Sequence, residues 1–338
     1  MRALGIGDLH LTDHLGLGGL SKYIDNHDAM VCGEVQRVLR YAEQQNVRNI
    51  IFYGDICENP RMSYSGMLEL SKVLSNKEFE FFIIPGNHDT IGRTPEVGHS
   101  LEVVSEFEVA KRSNIHIYLA GADVKIDGAL VRFLPFPRDK FHPKALNVCH
   151  LDVYGATTDN GRQILNEERD QSDCVAVAGH IHTNQVVRNT YYSGTLYQTC
   201  FGEKPKKFFH SIEFNGPQDF EITSVPFKPK YRLHTITVQT ASDIPHDLKS
   251  TDLVKLVLQD GAQVTADDYK HLNVCVVRNF QSKAQLASVL TEDLPSDGID
   301  HRISTKEFFN SWVSGLDVPD KLKASVQATR KRILSSLR

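Results

Sequence analysis

The sequence predicts a layered α/β fold, followed by a small α+β domain and two C-terminal helices. Its first two hundred residues alternate short apolar runs with amphipathic stretches, and the pattern changes beyond a proline-containing segment at 226–230. The length of 338 residues exceeds the roughly 250 to 300 at which a single core usually stops growing. We therefore expect a large domain over residues 1–228, a small one over 229–300 and a helical segment over 301–338.

Apolar runs and amphipathic stretches define the expected elements of the large domain. Strands are predicted at residues 2–7, 49–53, 79–84, 129–134, 146–150 and 174–178. Helices are predicted at residues 28–45, 63–74 and 100–110, the first with Asp28 suited to cap its start. Aromatic and β-branched residues between 191 and 225 predict antiparallel strands that finish the sheet.

The remaining residues predict a different module and a helical tail. The small domain is expected to have strands at 232–238, 253–258 and 274–278 and a helix at 265–272. That helix opens with a capping box formed by Thr265 and Asp268. In the tail, residues 304–313 and 319–337 predict two helices, the second with proline in its first turn.

Composition limits the cellular setting. The formal charge of −4 does not indicate a nucleic-acid binder, so any affinity for phosphate has to be local. No apolar run is long enough to cross a bilayer and no secretory signal opens the chain, so we expect no membrane association and a cytoplasmic location, in the host if the protein is phage-encoded. Six cysteines without a CxxC pair predict reduced packing residues, Cys57 and Cys149 included.

Five motifs follow predicted strands and carry metal-binding side chains. They are Asp8-Leu9-His10, Gly54-Asp55, Gly86-Asn87-His88-Asp89, His150 and Gly179-His180-Ile181-His182. Loops at strand ends converge on one rim of an α/β sheet, so these side chains are expected to lie together. Oxygen and imidazole donors without thiolate suit manganese, iron, zinc or magnesium. Two such cations about 4 Å apart need a bridging carboxylate, and Asp55 is our candidate.

Each motif alone has a simpler interpretation. A lone DxH or GD pair occurs often by chance, and a single histidine after an apolar run, such as His150, is more often a core residue than a ligand. The five motifs together, each after a strand, favour a metal site instead. Other histidines have no such motif and are expected to be surface or structural residues: His14, His27, His99, His142 and His210.

The ordered set DxH, GD, GNHD, H and GHxH resembles the calcineurin-like metallophosphoesterases over residues 8–182. The resemblance implies a β-sandwich flanked by helices and two divalent cations, with Mn²⁺ expected and Mg²⁺ as the alternative. It implies His88 as the catalytic residue. It assigns one cation to Asp8, His10, Asp55 and His182, and the other to Asp55, Asn87, His150 and His180.

Within that superfamily the chain resembles the SbcD-type DNA repair nucleases, and its length and tail are similar to those of T-even phage members. DLHL at 8–11 precedes a glycine-rich loop, YSGTLYQTCFGE at 192–203 is similar to a family segment, and a capping domain and C-terminal helices follow. The resemblance implies exonuclease or endonuclease activity at DNA ends, in recombination or repair. It also implies an SMC-like coiled-coil ATPase of the SbcC type as partner, and a homodimer.

Two residues near the ligands have open roles. Many family members carry histidine in GDxxH where this chain has Glu58, which leaves the balance of exonuclease and endonuclease activity open. Asp89 either orients His88 or caps its own loop. Both are candidates for supporting a ligand or contacting substrate. Phosphate contacts are also expected from basic residues nearby, namely Arg138, Lys140, Lys204, Lys206 and Lys207.

Two other functions fit the same core. One is a phosphatase or phosphodiesterase acting on small molecules or phosphoproteins, although GDICEN and GNHD differ from the GDxVDRG and GNHE of serine/threonine phosphatases. The other is a scaffold subunit with an inactive site, which the complete ligand set opposes.

Two surfaces are expected to bind proteins. The helices at 63–74 and 100–110 would form the homodimer, through Met67, Leu70 and Val73, or would simply pack on their own sheet. In the tail, the apolar stripes and basic residues of 301–338 predict docking of the ATPase, with folding back on the chain as the alternative.

Overall fold

The structure is a computed structural model that describes residues 1–12, 20–91, 100–106, 114–137, 140–165 and 174–279. The chain divides into two units, Met1–Pro295 and Ser296–Arg338, and every described residue belongs to the first. The predicted tail helices and residues His14, His99 and Arg138 lie outside the described residues, as does the end of the helix predicted at 100–110.

The described residues contain four helices and fifteen strands. The helices are α1 (His27–Gln44), α2 (Tyr64–Leu74), α3 (Ser100–Glu106) and α4 (Ala266–Tyr269). The strands are β1 (Arg2–Ile6), β2 (Asn49–Phe52), β3 (Glu80–Ile83), β4 (Ile115–Ile117), β5 (Ala122–Ile126), β6 (Ala129–Leu134), β7 (Leu146–His150), β8 (Ala176–Gly179), β9 (Gln185–Val187), β10 (Thr190–Tyr192), β11 (Lys207–Gly216), β12 (Asp219–Phe227), β13 (Arg232–Thr240), β14 (Asp252–Gln263) and β15 (Asn273–Asn279).

Two six-stranded sheets form the large domain. The first has the order β12-β11-β1-β2-β3-β4 and the second the order β5-β6-β7-β8-β10-β9. Within the first, β1 to β4 are parallel, and the antiparallel pair β11 and β12 extends the sheet beyond β1. The sheets pack face to face through buried residues such as Ile51 and Phe82 from one and Phe133 and Val177 from the other. The predicted β-sandwich is confirmed.

Helices α1 and α2 cover the outer face of the first sheet. Val31, Val35 and Val38 of α1 pack in one buried cluster with residues of β1 to β3. The cap predicted at Asp28 is wrong, because α1 begins at His27 and the side chain of Asn26 accepts the hydrogen bond from Ala29 N at 2.9 Å.

Helix α2 buries two of the three residues predicted to form the dimer contact. Leu70 and Val73 are each 2 % exposed and pack in the core of their own domain, while Met67 packs partly against it. These two side chains are therefore unavailable to a second copy. Tyr64 and Leu68 are the exposed apolar residues of this helix. The homodimer itself stays a prediction.

The residues predicted as the small domain form a three-stranded parallel sheet in the order β13-β14-β15, within the compact unit Met1–Pro295. The boundary predicted after residue 228 stays a prediction. Helix α4 has only four residues where eight were predicted, although the capping box of Thr265 and Asp268 is present. The linker predicted at 226–230 partly belongs to β12, which ends at Phe227, and β13 begins at Arg232. Among the described residues, no helix is long and apolar enough to span a membrane.

Candidate metal centre

Four of the seven predicted ligands lie just after strands in unusual backbone conformations. Asp8, His10, Asp55 and His180 have positive φ angles of 35°, 49°, 47° and 85°. Side chains on L residues crowd the backbone there, and such conformations persist only when the surrounding structure imposes them, at about 1 to 3 kcal/mol each. The four residues follow β1, β2 and β8, and Asp8, His10 and Asp55 are buried.

Glycine permits the close approach of two of these loops. A Cβ atom at Gly86 would lie 2.2 Å from Asp55 Oδ1 and 2.5 Å from Asp55 N. The loop after β3 can therefore lie against the loop after β2 only because residue 86 has no side chain. His88 N then donates a hydrogen bond of 2.8 Å to Asp55 Oδ1.

One donor group consists of Asp8, His10 and His182. The Nε2 atoms of the two histidines lie 3.0 Å apart, and the Nδ1 atoms bond to Glu58 Oε2 at 2.8 Å and Glu203 Oε1 at 2.7 Å. Because each Nδ1–H donates a hydrogen bond to a carboxylate, the neutral rings have their lone pairs on Nε2, and these two lone pairs face each other. They repel unless a proton or a metal ion lies against them. The buried Asp8 Oδ2 has no hydrogen-bond partner, so it too would be stabilised by a proton or a metal ion.

The second donor group consists of Asp55, His150 and His180, with Asn87 beside them. His150 Nδ1 bonds to the carbonyl of Tyr53 at 2.8 Å, so in the neutral ring Nε2 carries the lone pair. That atom lies 2.9 Å from Asn87 Oδ1 and 3.1 Å from Asp55 Oδ2, which are both acceptors. His180 Nδ1 is 2.8 Å from the same Asn87 oxygen. Converging acceptors of this kind fit a divalent cation.

Asp55 lies between the two groups. Its Oδ2 is 3.1 Å from His150 Nε2 and 3.8 Å from His10 Nε2. A carboxylate in this position can contribute to both cations, which is what a bridging ligand requires.

His88 is placed differently from the other histidines. Its Nδ1 lies 3.0 Å from the carbonyl of Glu58, and its side chain is 33 % exposed, whereas those of His10 and His150 are 5 % and 0 % exposed. It lies within metal-ligand range of His10 and Asp55. The ring of His88 is therefore partly open to solvent, with Nδ1 turned to the Glu58 carbonyl.

The structure gives different contacts to Glu58 and Asp89, the two residues whose roles the sequence left open. Glu58 bonds to His10 through Oε2, and its Oε1 lies 3.7 Å from His88 Nδ1, so it supports both rings. The carboxylate of Asp89 accepts hydrogen bonds from Ile56 N, Cys57 N and Gly86 N at 3.1, 2.8 and 2.8 Å. Asp89 therefore takes the loop-capping role and joins the loops that hold Asp55 and Asn87.

Sequence reasoning missed the residues that support His182. Glu203 is buried, and besides His182 it accepts hydrogen bonds from Thr199 Oγ1 and Lys207 Nζ. The assignment of Lys207 to phosphate contact is wrong, because its ammonium group is buried in this ion pair. Lys140, Lys204 and Lys206 are exposed. The sequence shows Glu203 in the FGE segment, but its contact with His182 exists only in the folded loop.

The electrostatics of the site favour positive charge. Burial lowers the pKa of His150, but Asp55 and Asp8 outweigh it and raise that pKa to about 9. Burial also lowers the pKa of His182, but Glu203 outweighs this effect and raises that pKa to about 9. Burial and the charge of His150 lower the pKa of His180 to about 3, so it is neutral at pH 7. Burial also raises the pKa of the Cys57 and Cys149 thiols, which stay neutral.

These shifts predict that metal binding releases protons. A cation has to displace protons from His150 and His182 at any pH below about 9. We expect the affinity for Mn²⁺ to rise between pH 6.5 and 8.5, by about tenfold per pH unit for each proton displaced. Anaerobic calorimetric titration in buffers of different protonation enthalpy would measure both the affinity and the protons released. A pH-independent affinity would contradict the prediction.

Comparison with known proteins gives the family. The family described as Calcineurin-like phosphoesterase matches residues 1–200. "Putative phosphoesterase 244L" of Invertebrate iridescent virus 6 is 22 % identical over 202 residues, which cover 54 % of this chain and 70 % of the viral protein. An archaeal phosphodiesterase structure aligns with a TM-score of 0.34 at 14 % identity, covering 67 % of this chain and all of that one. The matched region contains all five ligand motifs, and the chain belongs to the calcineurin-like phosphoesterases.

Proposed function

We propose that this chain is a DNA nuclease that hydrolyses phosphodiester bonds at DNA ends with two divalent cations, Mn²⁺ being the expected ion. Members of its family use two divalent metals, and the donor groups on either side of Asp55 fit that number. The convergence of these donors carries the proposal of hydrolysis. The nuclease assignment is supported by the segment at 192–203, whose Glu203 bonds to His182, and by the added sheet domain.

The proposed ligand sets follow the two donor groups. One cation would be held by Asp8, His10, Asp55 and His182, and the other by Asp55, Asn87, His150 and His180. When bound, such cations lower the pKa of coordinated water from 15.7 towards about 7 and stabilise negative charge on a phosphoryl group.

The remaining residues of the site hold rings and move protons. Glu58 and Glu203 fix the tautomers of His10 and His182, so that both rings present Nε2 to the cation. The carbonyl of Glu58 accepts a hydrogen bond from Nδ1–H of His88. A doubly protonated His88 can then donate a hydrogen bond or a proton from Nε2 to the phosphoryl or departing oxygen.

The nuclease proposal predicts a diesterase. Pure protein with Mn²⁺ should degrade end-labelled duplex DNA and hydrolyse bis-p-nitrophenyl phosphate, and it should act poorly on the monoester p-nitrophenyl phosphate. Separate assays of the three substrates measure this, with EDTA as the control that removes activity. Hydrolysis of the monoester alone would identify a phosphatase and contradict the proposal.

One observation favours the second candidate, a phosphodiesterase of small molecules. The side chain of Glu58 is 43 % exposed beside His10 and His88, so a polyanionic strand would meet a negative charge at the site. Hydrolysis of the small diester without degradation of DNA would support this alternative.

The proposed partners rest on the sequence. They are an SMC-like ATPase of the SbcC type, bound by residues 301–338, and a second copy of this chain. Co-purification of the ATPase with full-length and tail-deleted protein tests the first proposal, and light scattering tests the second.

A further inference from the structure

A short loop joins the candidate metal centre to the small sheet domain. At one end of residues 198–203, Glu203 bonds to His182 Nδ1 at 2.7 Å, and Thr199 bonds to the carboxylate of Glu203. At the other end, the side chain of Gln198 bonds to the backbone of Leu233, in the first strand of the small sheet. The loop therefore contacts a predicted ligand and the neighbouring domain at once.

Gln198 uses both ends of its amide group in this connection. Its Nε2 donates to the carbonyls of Glu203 and Leu233, both at 3.0 Å, and its Oε1 accepts from Leu233 N at 2.9 Å. The residue is 5 % exposed, so its polar atoms depend on these partners. Because a buried amide is stable only when its bonds are made, this arrangement requires β13 to lie where it does.

Two further contacts strengthen the connection. Thr235 of β13 donates from Oγ1 to the carbonyl of Phe201 at 3.1 Å. The ring of Phe201 is buried in an apolar cluster that includes Leu20 of the large domain and Leu233 and Leu253 of the small one. The loop is thus held by polar and apolar contacts from the same strand.

The opposite end of the loop has little freedom. Glu203 is buried and paired with Lys207, so its carboxylate can move only with the loop backbone. Gln198 bonds directly to that backbone through the Glu203 carbonyl. A displacement of β13 would therefore reach the His182 ring through two hydrogen-bonded residues.

We propose that Gln198 is a positioning residue, through which the seating of the small sheet domain sets how firmly His182 holds its cation. The inference rests on the proposed function only in taking His182 as a ligand. It implies an asymmetric centre, because among the described residues no hydrogen bond joins the loop to Asn87 or His150. A nucleic acid or protein that shifts β13 would change the affinity for the cation held by His182 and leave the affinity for the other cation unchanged.

The test is metal binding by the full-length Gln198→Leu variant. Leucine keeps the apolar volume and loses all three hydrogen bonds. We expect calorimetric titration with Mn²⁺ to show about tenfold weaker binding of one cation, the lower end of the effect of changes behind a metal ligand, and the other within about threefold. With bis-p-nitrophenyl phosphate, kcat should fall at low Mn²⁺ and recover at high Mn²⁺, with KM unchanged.

A matched pair of variants keeps the test decisive if Gln198→Leu does not fold. Thr235→Val removes only the bond to Phe201, and Thr237→Val makes the same change two residues along the same face of β13. We expect Thr235→Val to weaken the same cation and Thr237→Val to behave as wild type. If the Gln198 and Thr235 variants had lower thermal stability but bound both cations as the wild type does, these side chains would serve only to pack the fold, and the proposal would be overturned.

The role of Gln198 and the nuclease activity of the protein can fail independently. If the wild type binds two cations without cutting DNA, the nuclease assignment fails and the titration still decides the role of Gln198. If the wild type binds no cation, the ligand role of His182 fails and this inference fails with it.

Discussion

Asp55→Asn should abolish tight binding of both cations and lower the rate of diester hydrolysis by at least about 10³-fold. The substitution keeps the size of the side chain and can keep the acceptor for His88 N, so the loop should stay folded. It removes the negative charge that lies 3.1 Å from His150 Nε2 and 3.8 Å from His10 Nε2. Calorimetric titration with Mn²⁺ gives the stoichiometry, and bis-p-nitrophenyl phosphate gives the rate.

His10→Asn is the matched control for the bridge. His10 belongs with Asp8 and His182 and lies on one side of Asp55, so its loss should weaken mainly one cation. A bridging role for Asp55 therefore predicts two affected sites in one variant and one in the other. Two cations of full affinity in Asp55→Asn would refute the bridge.

His88→Gln should retain both cations and lose about 10²- to 10⁴-fold in kcat. The ring is one-third exposed and anchored by Glu58, whereas the proposed ligands His10 and His150 are buried. A neutral glutamine fills the space but cannot deliver a proton to a departing oxygen. Metal stoichiometry and single-turnover cleavage of DNA, measured on the same preparation, separate binding from chemistry.

His116→Gln supplies the comparison for that variant. His116 has a similar exposed fraction, 36 %, but it lies on β4 and pairs with Glu80. It should bind metal and cleave DNA as the wild type does. Unchanged cleavage by His88→Gln would exclude the catalytic role, and loss of a cation would show that His88 is itself a ligand, as its distance to Asp55 allows.

Local sequence patterns were sufficient for the sandwich and for the placement of the ligand loops. Strands such as β2 and β8 are buried along their length, and their apolar residues Ile50–Phe52 and Ala176–Ala178 form short runs, so the polar residues that follow these strands stand out. The short strands β4 and β9 were missed, because a strand of three residues is too short to show a periodic pattern. The apolar residues of α2 did not reveal which of them face the core.

The supporting residues could not be predicted because they depend on tertiary contacts. Glu203 lies 21 residues after His182, and two strands separate them, so no spacing rule connects the pair. Lys207 belongs to a run of basic residues that reads as solvated surface, and only its burial beside Glu203 shows its role. Asn26 and Asp28 are both good caps, and in the fold Asn26 caps α1 while the carboxylate of Asp28 accepts a hydrogen bond from Ser63 Oγ.

The left-handed backbone at Asp8, His10, Asp55 and His180 has a consequence for protein engineering. Glycine would adopt these conformations without strain, and asparagine at Asp8 would also remove a buried carboxylate whose pKa burial raises. Without metal, such replacements should therefore raise the melting temperature while they destroy the centre. A library selected for heat resistance alone would accumulate inactive variants at these positions, so any stabilisation campaign should hold them constant and screen for metal uptake in parallel.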